Sequence, residues 1–333
     1  MLSRLRSEYW QDLISLVQDT PGGYICTHRL GTELDTTTHT GAGPARLCIK
    51  AARAINVLIA THDIRSPSLM NGARMTLIGR KSEMDRIRSV IQTSRESALS
   101  IIGRRGMGKS SLLSEIPRLS DYRTIFLRAS SAESTWKFSG LTALLNGIGD
   151  PVLRVLSDQL LQAAAEMDVP TVSAQFLHGL HERPSGKTVI VIDDADQLDP
   201  GTQAVLGFLS HRLAGTGTTL ITSSRVERSD SPYRSIPTLR LPPLDYKDTV
   251  RMLASIPATH APTAAIHAIA AVVRGNPLAA VELYTVLLER HSEGKYTLPI
   301  PMACSGSFEA DYAAVVGSLS PAARQVLNLV SLS

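Results

Sequence analysis

The residues best suited to chemistry form one short run, "GRRGMGKSS", at residues 103–111. Their spacing fits GxxxxGK[ST]. The strand-like run Leu99–Ile102 precedes them, and the helical run "SSLLSEI" follows. Glycines let successive backbone N–H groups turn toward phosphate oxygens, and the positive end of the following helix adds to that attraction. The run therefore predicts a phosphate-binding loop.

Each residue of this loop has its own expected role. Lys109 is expected to bridge the β- and γ-phosphates of ATP, and the Ser110 hydroxyl is expected to ligate Mg²⁺. A chance match at a strand–turn–helix joint is the alternative, and the flanking strand and helix argue against it. The loop residues expected to touch the nucleotide are Gly103, Gly106, Met107, Gly108, Lys109, Ser110 and Ser111.

An acidic pair supplies the partner that a magnesium-dependent phosphate loop needs. Residues 188–194, "TVIVIDD", are typical of a buried strand that ends in Asp193 and Asp194. Ligands of open α/β sheets bind at the carboxyl ends of strands, so Asp193 is expected to hold Mg²⁺ directly or through water. Asp194 is expected to position or deprotonate the attacking water. A helix N-cap or a structural hydrogen bond is the alternative role for Asp194.

The third polar group is Arg225, which directly follows the strand-like run "TTLITSS" at residues 218–224. If this strand lies between the strand before the loop and the strand before Asp193, its polar end faces the γ-phosphate. Arg225 then senses that phosphate through charge-assisted hydrogen bonds. An ordinary surface arginine is the alternative, and these residues alone do not decide between the two.

The elements that position these residues alternate between strands and helices from Thr76 onward, which predicts an α/β fold with a parallel sheet flanked by helices. The expected strands are "ALSII", "YRTIFLRA", "TVIVID", "TTLITSS" and "IPTLRL". After Asp245 the pattern becomes helical, which predicts a small all-helical domain. Residues 1–74 are expected to form a mostly helical accessory segment, with a first helix ending at "TPGG", then a loop, then a helix in "ARLCIKAARAINVLIA".

Composition narrows the function classes. The net charge is +4, but the basic residues interleave with acidic ones, which is weak evidence for a nucleic-acid surface. The three cysteines are far apart and lack CxxC spacing, so reduced thiols are expected and a zinc site is not. No signal peptide or membrane-spanning run stands out, which predicts a cytoplasmic protein without a membrane partner.

Seven ordered motifs resemble the nucleotide-binding module of STAND ATPases, and more narrowly the large ATP-binding regulators of the LuxR family. The motifs are "LIGRKSEMDRI", "GRRGMGKSSLL", "FSGLTALL", "VIVIDDADQLDP", "LITSSR", "LRLPPLD" and "RGNPLAAVEL". The resemblance covers about residues 76–333. It implies a P-loop NTPase with ATP and Mg²⁺ as cofactors, and it favours Arg225 as the γ-phosphate sensor.

The same resemblance implies an adenosine site. Gly79 and Arg80 are expected near the base, and Gly275, Asn276 and Pro277 against the adenine or ribose. The alternative for Gly79 and Arg80 is a simple turn. The alternative for "RGNPL" is a capping glycine followed by a helix that begins with proline, and a capping turn can also touch adenine.

The implied domains are an accessory segment at 1–74, a P-loop ATPase domain at 75–243, a helical lid at 244–295, and a linker with the start of a winged helix at 296–333. Family members continue into a repeat sensor and a DNA-binding helix-turn-helix. No DNA-binding element is visible in this chain, so we expect a truncated form, a fragment, or a partner of another regulator, with self-association as a further option.

The leading hypothesis is a nucleotide-operated switch that hydrolyses ATP slowly. A small-molecule or nucleotide kinase is one alternative, but neither an acceptor pocket nor a basic lid is visible. An AAA+ machine is another, and it would need Arg212 or Arg228 to act across subunits. A protein that binds nucleotide without hydrolysing it is the third.

Overall fold

The computed structural model describes residues 17–20, 23–30, 33–39, 77–93, 96–119, 122–183, 186–225, 231–256, 262–292, 316–317 and 319–331. The chain divides into two compact units that alternate along the sequence. The first unit comprises Met1–Ser66 and Ile125–Thr218, and the second comprises Pro67–Thr124 and Thr219–Ser333.

Three antiparallel strands lie near the N-terminus: β1 (Val17–Thr20), β2 (Gly23–Leu30) and β3 (Glu33–His39). The sequence predicts the end of a helix and a loop over these residues, and that prediction is wrong. Threonine, valine, isoleucine and tyrosine in these runs favour extended backbone, and two-residue gaps allow tight hairpins. The helix expected over 45–60 lies outside the described residues.

Five further strands form one parallel sheet, in the spatial order β5-β6-β7-β4-β8. They are β4 (Ala98–Ile102), β5 (Arg123–Arg128), β6 (Thr188–Asp193), β7 (Thr218–Ser224) and β8 (Thr238–Arg240). Every residue of β6 is buried, as expected for a strand covered on both faces. The predicted α/β fold is confirmed, and β7 lies between β4 and β6, the order on which the sensing role of Arg225 depends.

Ten helices accompany these strands among the described residues. They are α1 (Lys81–Gln92), α2 (Lys109–Ser114), α3 (Ser139–Ile148), α4 (Pro151–Ala163), α5 (Val169–His181), α6 (Pro200–Ser210), α7 (Tyr246–Ala254), α8 (Thr263–Val272), α9 (Pro277–Ser292) and α10 (Pro321–Ser331). None of the helices that the structure describes is long and apolar enough to cross a membrane.

Beyond Asp245 the structure describes the helices α7, α8 and α9. Helices α7, α8 and α9 share an apolar core that is centred on Leu253, Ile269, Ala280 and Leu287, each at most 1% exposed. These helices belong to the second unit, as do the phosphate loop and β8. The division into a separate lid and the start of a winged helix at α10 stays a prediction.

A buried carboxylate ties the segment after β6 to α3 within the first unit. Asp199 is 1% exposed and caps α6. One oxygen accepts from the Phe138 N–H at 2.7 Å and the Thr202 N–H at 2.9 Å. The other accepts from the Gly140 N–H and from the hydroxyls of Ser139 and Thr202. Five donors therefore compensate for removing this charge from water.

The same carboxylate acts on Glu133, which closes the 3₁₀ turn Ser131–Glu133. Burial raises the pKa of the Glu133 carboxyl, and the charge of Asp199 raises it further. Folding therefore favours the protonated form of the Glu133 carboxyl relative to the unfolded chain. Its contribution to stability is present below the ordinary pKa of a glutamate and is lost as the pH rises through the folded value.

We expect Asp199→Ala to lower the free energy of unfolding by about 3 kcal/mol or more, because it strands several buried donors at about 1–3 kcal/mol each. Urea denaturation followed by circular dichroism measures this change. Asp168→Ala is the matched control: Asp168 also caps a helix, α5, but is exposed to solvent. Equal losses for the two variants would contradict a special role for the buried network.

Candidate functional site

The phosphate loop connects β4 to α2, and its glycines set its path. Gly106 and Gly108 have φ angles of 80° and 87°, a left-handed conformation that glycine adopts without strain. A Cβ at Gly108 would meet no atom within 4 Å, so backbone conformation rather than crowding requires glycine there. A Cβ at Gly106 would collide with Asn276 and come within 2.9 Å of the Leu278 Cβ. Gly106 therefore allows the loop to lie close to Asn276 and Leu278.

Every carbonyl of the loop from Gly103 to Gly108 accepts a hydrogen bond from the protein. The donors are, in order, Lys109 Nζ, the Met107 N–H, Asn276 Nδ2, the Leu278 N–H, Arg80 Nη2 and the Leu112 N–H. A trans peptide directs its N–H away from its carbonyl. The N–H groups of Gly106 and Gly108 thus point away from these partners, as a phosphate cradle requires.

Lys109 lies at the start of α2 and is 6% exposed. Its ammonium donates to the Gly103 carbonyl at 2.8 Å and to the Arg104 carbonyl at 3.5 Å. Ser110 follows in the same turn and is half-buried, whereas Ser111 is exposed. Two adjacent residues of the loop thus carry an ammonium and a hydroxyl, which suit a phosphate and a magnesium ion respectively.

Arg80 is a buried clamp on the loop. Its guanidinium is paired with Glu83 of α1 at 3.0 Å and donates to the Met107 carbonyl at 3.1 Å and the Pro242 carbonyl at 2.7 Å. Gly79 before it has φ 70°, and a Cβ there would come within 2.5 Å of an Asp248 oxygen. Gly79 and Arg80, which are expected near the base, therefore have at least a structural role. Their contact with adenine stays a prediction.

Glu83, the glutamate of the motif "LIGRKSEMDRI", has no role predicted from the sequence but completes this clamp. It is 6% exposed and accepts from the Ser82 hydroxyl as well as from Arg80. Its signal in the sequence is an acidic residue three positions after Arg80, where one helical turn brings the two together. A buried arginine needs such a partner to compensate for its lost hydration.

The turn before α9 rests directly on the loop. The Asn276 side-chain amide donates to the Arg105 carbonyl at 3.2 Å, and its oxygen accepts from the N–H groups of Leu278 and Ala279, which caps α9. Gly275 has φ 76°, and its carbonyl accepts from the Leu244 N–H at 2.8 Å. Pro277 is the first residue of the helix. The capping interpretation of "RGNPL" is thereby supported, and the contact partner of the turn is the phosphate loop.

We expect Asn276→Ala to lower the free energy of unfolding by about 1 kcal/mol, because a helix cap is lost. Asn276→Asp keeps the capping oxygen but removes the donor to the Arg105 carbonyl. Both variants should increase hydrogen exchange in the peptide that covers the loop, measured by mass spectrometry. Unchanged exchange in Asn276→Asp would show that this amide does not hold the loop.

The acidic pair lies in the first unit. Asp193 ends β6 at 0% exposure, and its carboxylate accepts from Arg128 at 3.3 Å. Asp194 has φ 52°, a left-handed conformation that aspartate tolerates better than most residues. It stands at the N-cap of the turn Ala195–Gln197 but makes no side-chain capping bond there. The capping alternative for Asp194 is therefore not supported.

The structure assigns the remaining candidates to the second unit, where the loop, Arg80, Asn276 and Arg225 all belong. Arg225 is half-buried directly after β7. Thr222 of β7 is 1% exposed, and its hydroxyl has no hydrogen-bond partner among the described residues. Of the two arginines considered for action across subunits, Arg212 is exposed and lies over the Phe208 ring, while Arg228 falls outside the described residues.

A cleft of ≈ 660 Å³ opens beside the first glycine of the loop. Its lining combines apolar side chains with guanidinium groups, and includes Gly103, Met107, Leu241, Arg104, Arg225 and Arg240. Among the described residues that line it, none carries a carboxylate. The cleft has the size of a small-ligand site.

Comparison with known proteins identifies the domain type. A family model described as AAA ATPase domain matches residues 76–221, whereas no curated protein sequence matches the chain. The Orc1 protein of Aeropyrum pernix in complex with DNA is 19% identical, with a TM-score of 0.50 over 79% of this chain and 74% of that chain. Cdc6p of Pyrobaculum aerophilum is 14% identical, with a TM-score of 0.51 over 70% and 67%.

A weaker likeness links the chain to a STAND protein with a tetratricopeptide repeat sensor from Pyrococcus horikoshii. It is 15% identical, with a TM-score of 0.45 over 80% of this chain and 37% of that chain. At such identities, a structural likeness concerns the fold alone. Residues 76–221 thus match an AAA ATPase domain on a P-loop ATPase fold, and the narrower resemblance to LuxR-family regulators stays a prediction.

Proposed function

We propose that the chain binds ATP with Mg²⁺, hydrolyses it slowly to ADP and phosphate, and thereby operates as the switch module of a signal-responsive STAND ATPase related to transcriptional regulators. The observation that carries this proposal is the contact between the loop and the turn before α9. Asn276 and Leu278 bind the carbonyls of Arg105 and Gly106. A change in the loop on nucleotide binding would therefore act directly on the helical segment.

The residues present fit a magnesium nucleotide. Left-handed glycines, loop N–H groups that point away from the partners of the loop carbonyls, and the buried Lys109 ammonium suit a polyphosphate. Mg²⁺ prefers oxygen ligands, which the Ser110 hydroxyl and the Asp193 carboxylate can provide. When bound, Mg²⁺ would neutralise charge on the β- and γ-phosphates.

Each candidate residue has one assigned role in this proposal. Lys109 binds the β- and γ-phosphates, and the loop N–H groups orient the phosphate chain. Asp194 positions the attacking water, while Arg225 binds the γ-phosphate. Five residues would surround the base and ribose: Gly79, Arg80, Gly275, Asn276 and Pro277.

The switch requires contacts that ATP makes and ADP does not, because a ligand shifts an equilibrium only by its differential affinity for the two states. The candidates are Lys109, Ser110, Asp193 and Arg225. Their partners on the nucleotide are the γ-phosphate and the ion bound to it. Loss of that phosphate would remove the contacts and change how the α9 turn sits on the loop.

We expect Lys109→Ala to weaken ATP binding by at least about 100-fold, because it removes a buried, charge-assisted contact to the phosphates. Isothermal titration calorimetry with ATP and Mg²⁺ measures the affinity. Lys247→Ala, a substitution on the exposed part of α7, is the control and should bind like the wild type. Wild-type affinity in Lys109→Ala would show that the nucleotide site is assigned wrongly.

We expect Asp194→Ala to retain ATP binding but to lose turnover by about 100-fold or more, the range for removal of a general base. Asp194→Asn should behave alike and is the cleaner variant, since asparagine tolerates the left-handed backbone at this position. Phosphate release under single-turnover conditions gives the rate, with Asp158→Ala of α4 as the control. A wild-type rate in Asp194→Asn would leave this residue without a role in hydrolysis.

A further inference from the structure

The carboxylate that is proposed to hold Mg²⁺ is paired with a cation of the chain itself. Arg128, the last residue of β5, donates from Nη2 to the Asp193 Oδ2 at 3.3 Å. Both residues belong to the first unit. The pair is uneven, because the Asp193 side chain is 0% exposed whereas the Arg128 side chain is 67% exposed. A fully buried carboxylate thus contacts a guanidinium that lies mostly in water.

Strand pairing places Arg128 and Asp193 side by side. β5 is the edge strand of the parallel sheet, and β6 is its neighbour. The Ala129 N–H donates to the Asp193 carbonyl at 3.0 Å, so the residue that follows Arg128 is bound to the end of β6. The backbone of Arg128 is therefore fixed beside Asp193, while its side chain remains mostly in solvent. The guanidinium can leave the carboxylate without disrupting either strand.

A second arginine pair with a buried carboxylate differs in the burial of its cation. The side chains of Arg80 and Glu83 are 3% and 7% exposed, and the Arg80 guanidinium also donates to two carbonyls. Moving that guanidinium would leave buried groups without partners. Among the described residues, the Arg128 side chain donates to Asp193 alone, at a distance longer than the about 2.7–2.9 Å of a strong charge-assisted bond. Exchanging Arg128 for another cation therefore costs little.

We propose that Arg128 is a displaceable internal cation, which contacts the Asp193 carboxylate until Mg²⁺ binds and thereby sets the Mg²⁺ concentration that the site requires. This inference rests on the proposed function, in which Asp193 holds the ion. A guanidinium and Mg²⁺ both bind carboxylate oxygens, and two cations close together repel each other. Binding of the ion therefore moves the Arg128 guanidinium into water. Asp193 also interacts with other groups, so Arg128 competes for one contact of this carboxylate.

The first test measures metal affinity on the full chain. Mn²⁺, which shares the oxygen-ligand preference of Mg²⁺, is titrated into the chain with a smaller amount of ADP. Electron paramagnetic resonance gives the free Mn²⁺ concentration. Arg128→Gln should bind Mn²⁺ about fivefold more tightly, the size expected for one ion pair with an exposed partner. Arg128→Lys keeps the charge and should stay within about twofold of the wild type.

The matched control is Arg154→Gln, which changes an exposed arginine of α4 in the same unit and should bind Mn²⁺ like the wild type. Thermal unfolding monitored by circular dichroism confirms that each variant is folded. Unchanged or weaker Mn²⁺ binding in Arg128→Gln would overturn the displacement and leave Arg128 with a structural role only.

The second test uses the wild-type chain and so does not depend on how a variant folds. If the ion displaces Arg128, an arginine-specific dicarbonyl reagent should modify this residue faster with ADP and Mg²⁺ than with ADP alone. Peptide mass spectrometry gives the rate, with Arg154 as the internal reference. A rate at Arg128 that Mg²⁺ does not raise would also overturn the displacement.

Asp193→Asn distinguishes these results from a failure of the proposed function. This variant removes the charge that attracts the ion, so it should lose most of the Mn²⁺ binding that the wild type shows with ADP. Wild-type Mn²⁺ affinity in Asp193→Asn would overturn the assignment of Asp193 to the metal, and the role of Arg128 with it. Loss of binding in Asp193→Asn, together with no effect of Arg128→Gln, would overturn the role of Arg128 alone.

Discussion

The phosphate loop must hold a tight curl while its N–H groups stay available, and this requirement organises the second unit. A curled backbone exposes its carbonyls on the outer side, and buried carbonyls need donors. Arg80, Asn276 and Lys109 provide side-chain donors, and backbone N–H groups provide the rest. The segments that supply the side-chain donors are thereby attached to the loop.

This attachment links structure to the proposed switching. The first turn of α9, which Asn276 caps, is hydrogen-bonded to the Arg105 and Gly106 carbonyls of the loop. The core residues of α9 pack with α7 and α8. The turn before α9 is also attached to the segment after β8, because the Leu244 N–H donates to the Gly275 carbonyl. A movement of the loop therefore has a hydrogen-bonded route to the helical segment, and no long-range mechanism is needed.

Much of the fold followed from local pattern. Strands β6 and β7 coincide with the predicted runs, because buried parallel strands are continuous apolar stretches with sharp polar ends. The N-terminal strands β1–β3 escaped prediction, because their runs lack the apolar alternation of a half-buried strand. Asp194 was assigned by its place after β6, although its left-handed conformation could not be foreseen from its neighbours.

The sequence by itself determined the chemistry of the loop, since GxxxxGK[ST] between a strand and a helix specifies the glycines, the lysine and the hydroxyl within a few residues of one another. Only the tertiary structure decided which distant groups complete it. Asn276 lies 171 positions from Arg105. Arg225 and Arg240 lie on the two sides of Gly103 only because β7 and β8 both pair with β4. Such contacts depend on strand pairing and helix packing, which a local pattern does not encode. Arg104 and Arg105 show the difference: the loop motif leaves both unexplained, whereas the fold directs one into the cleft and uses the backbone of the other to hold α9.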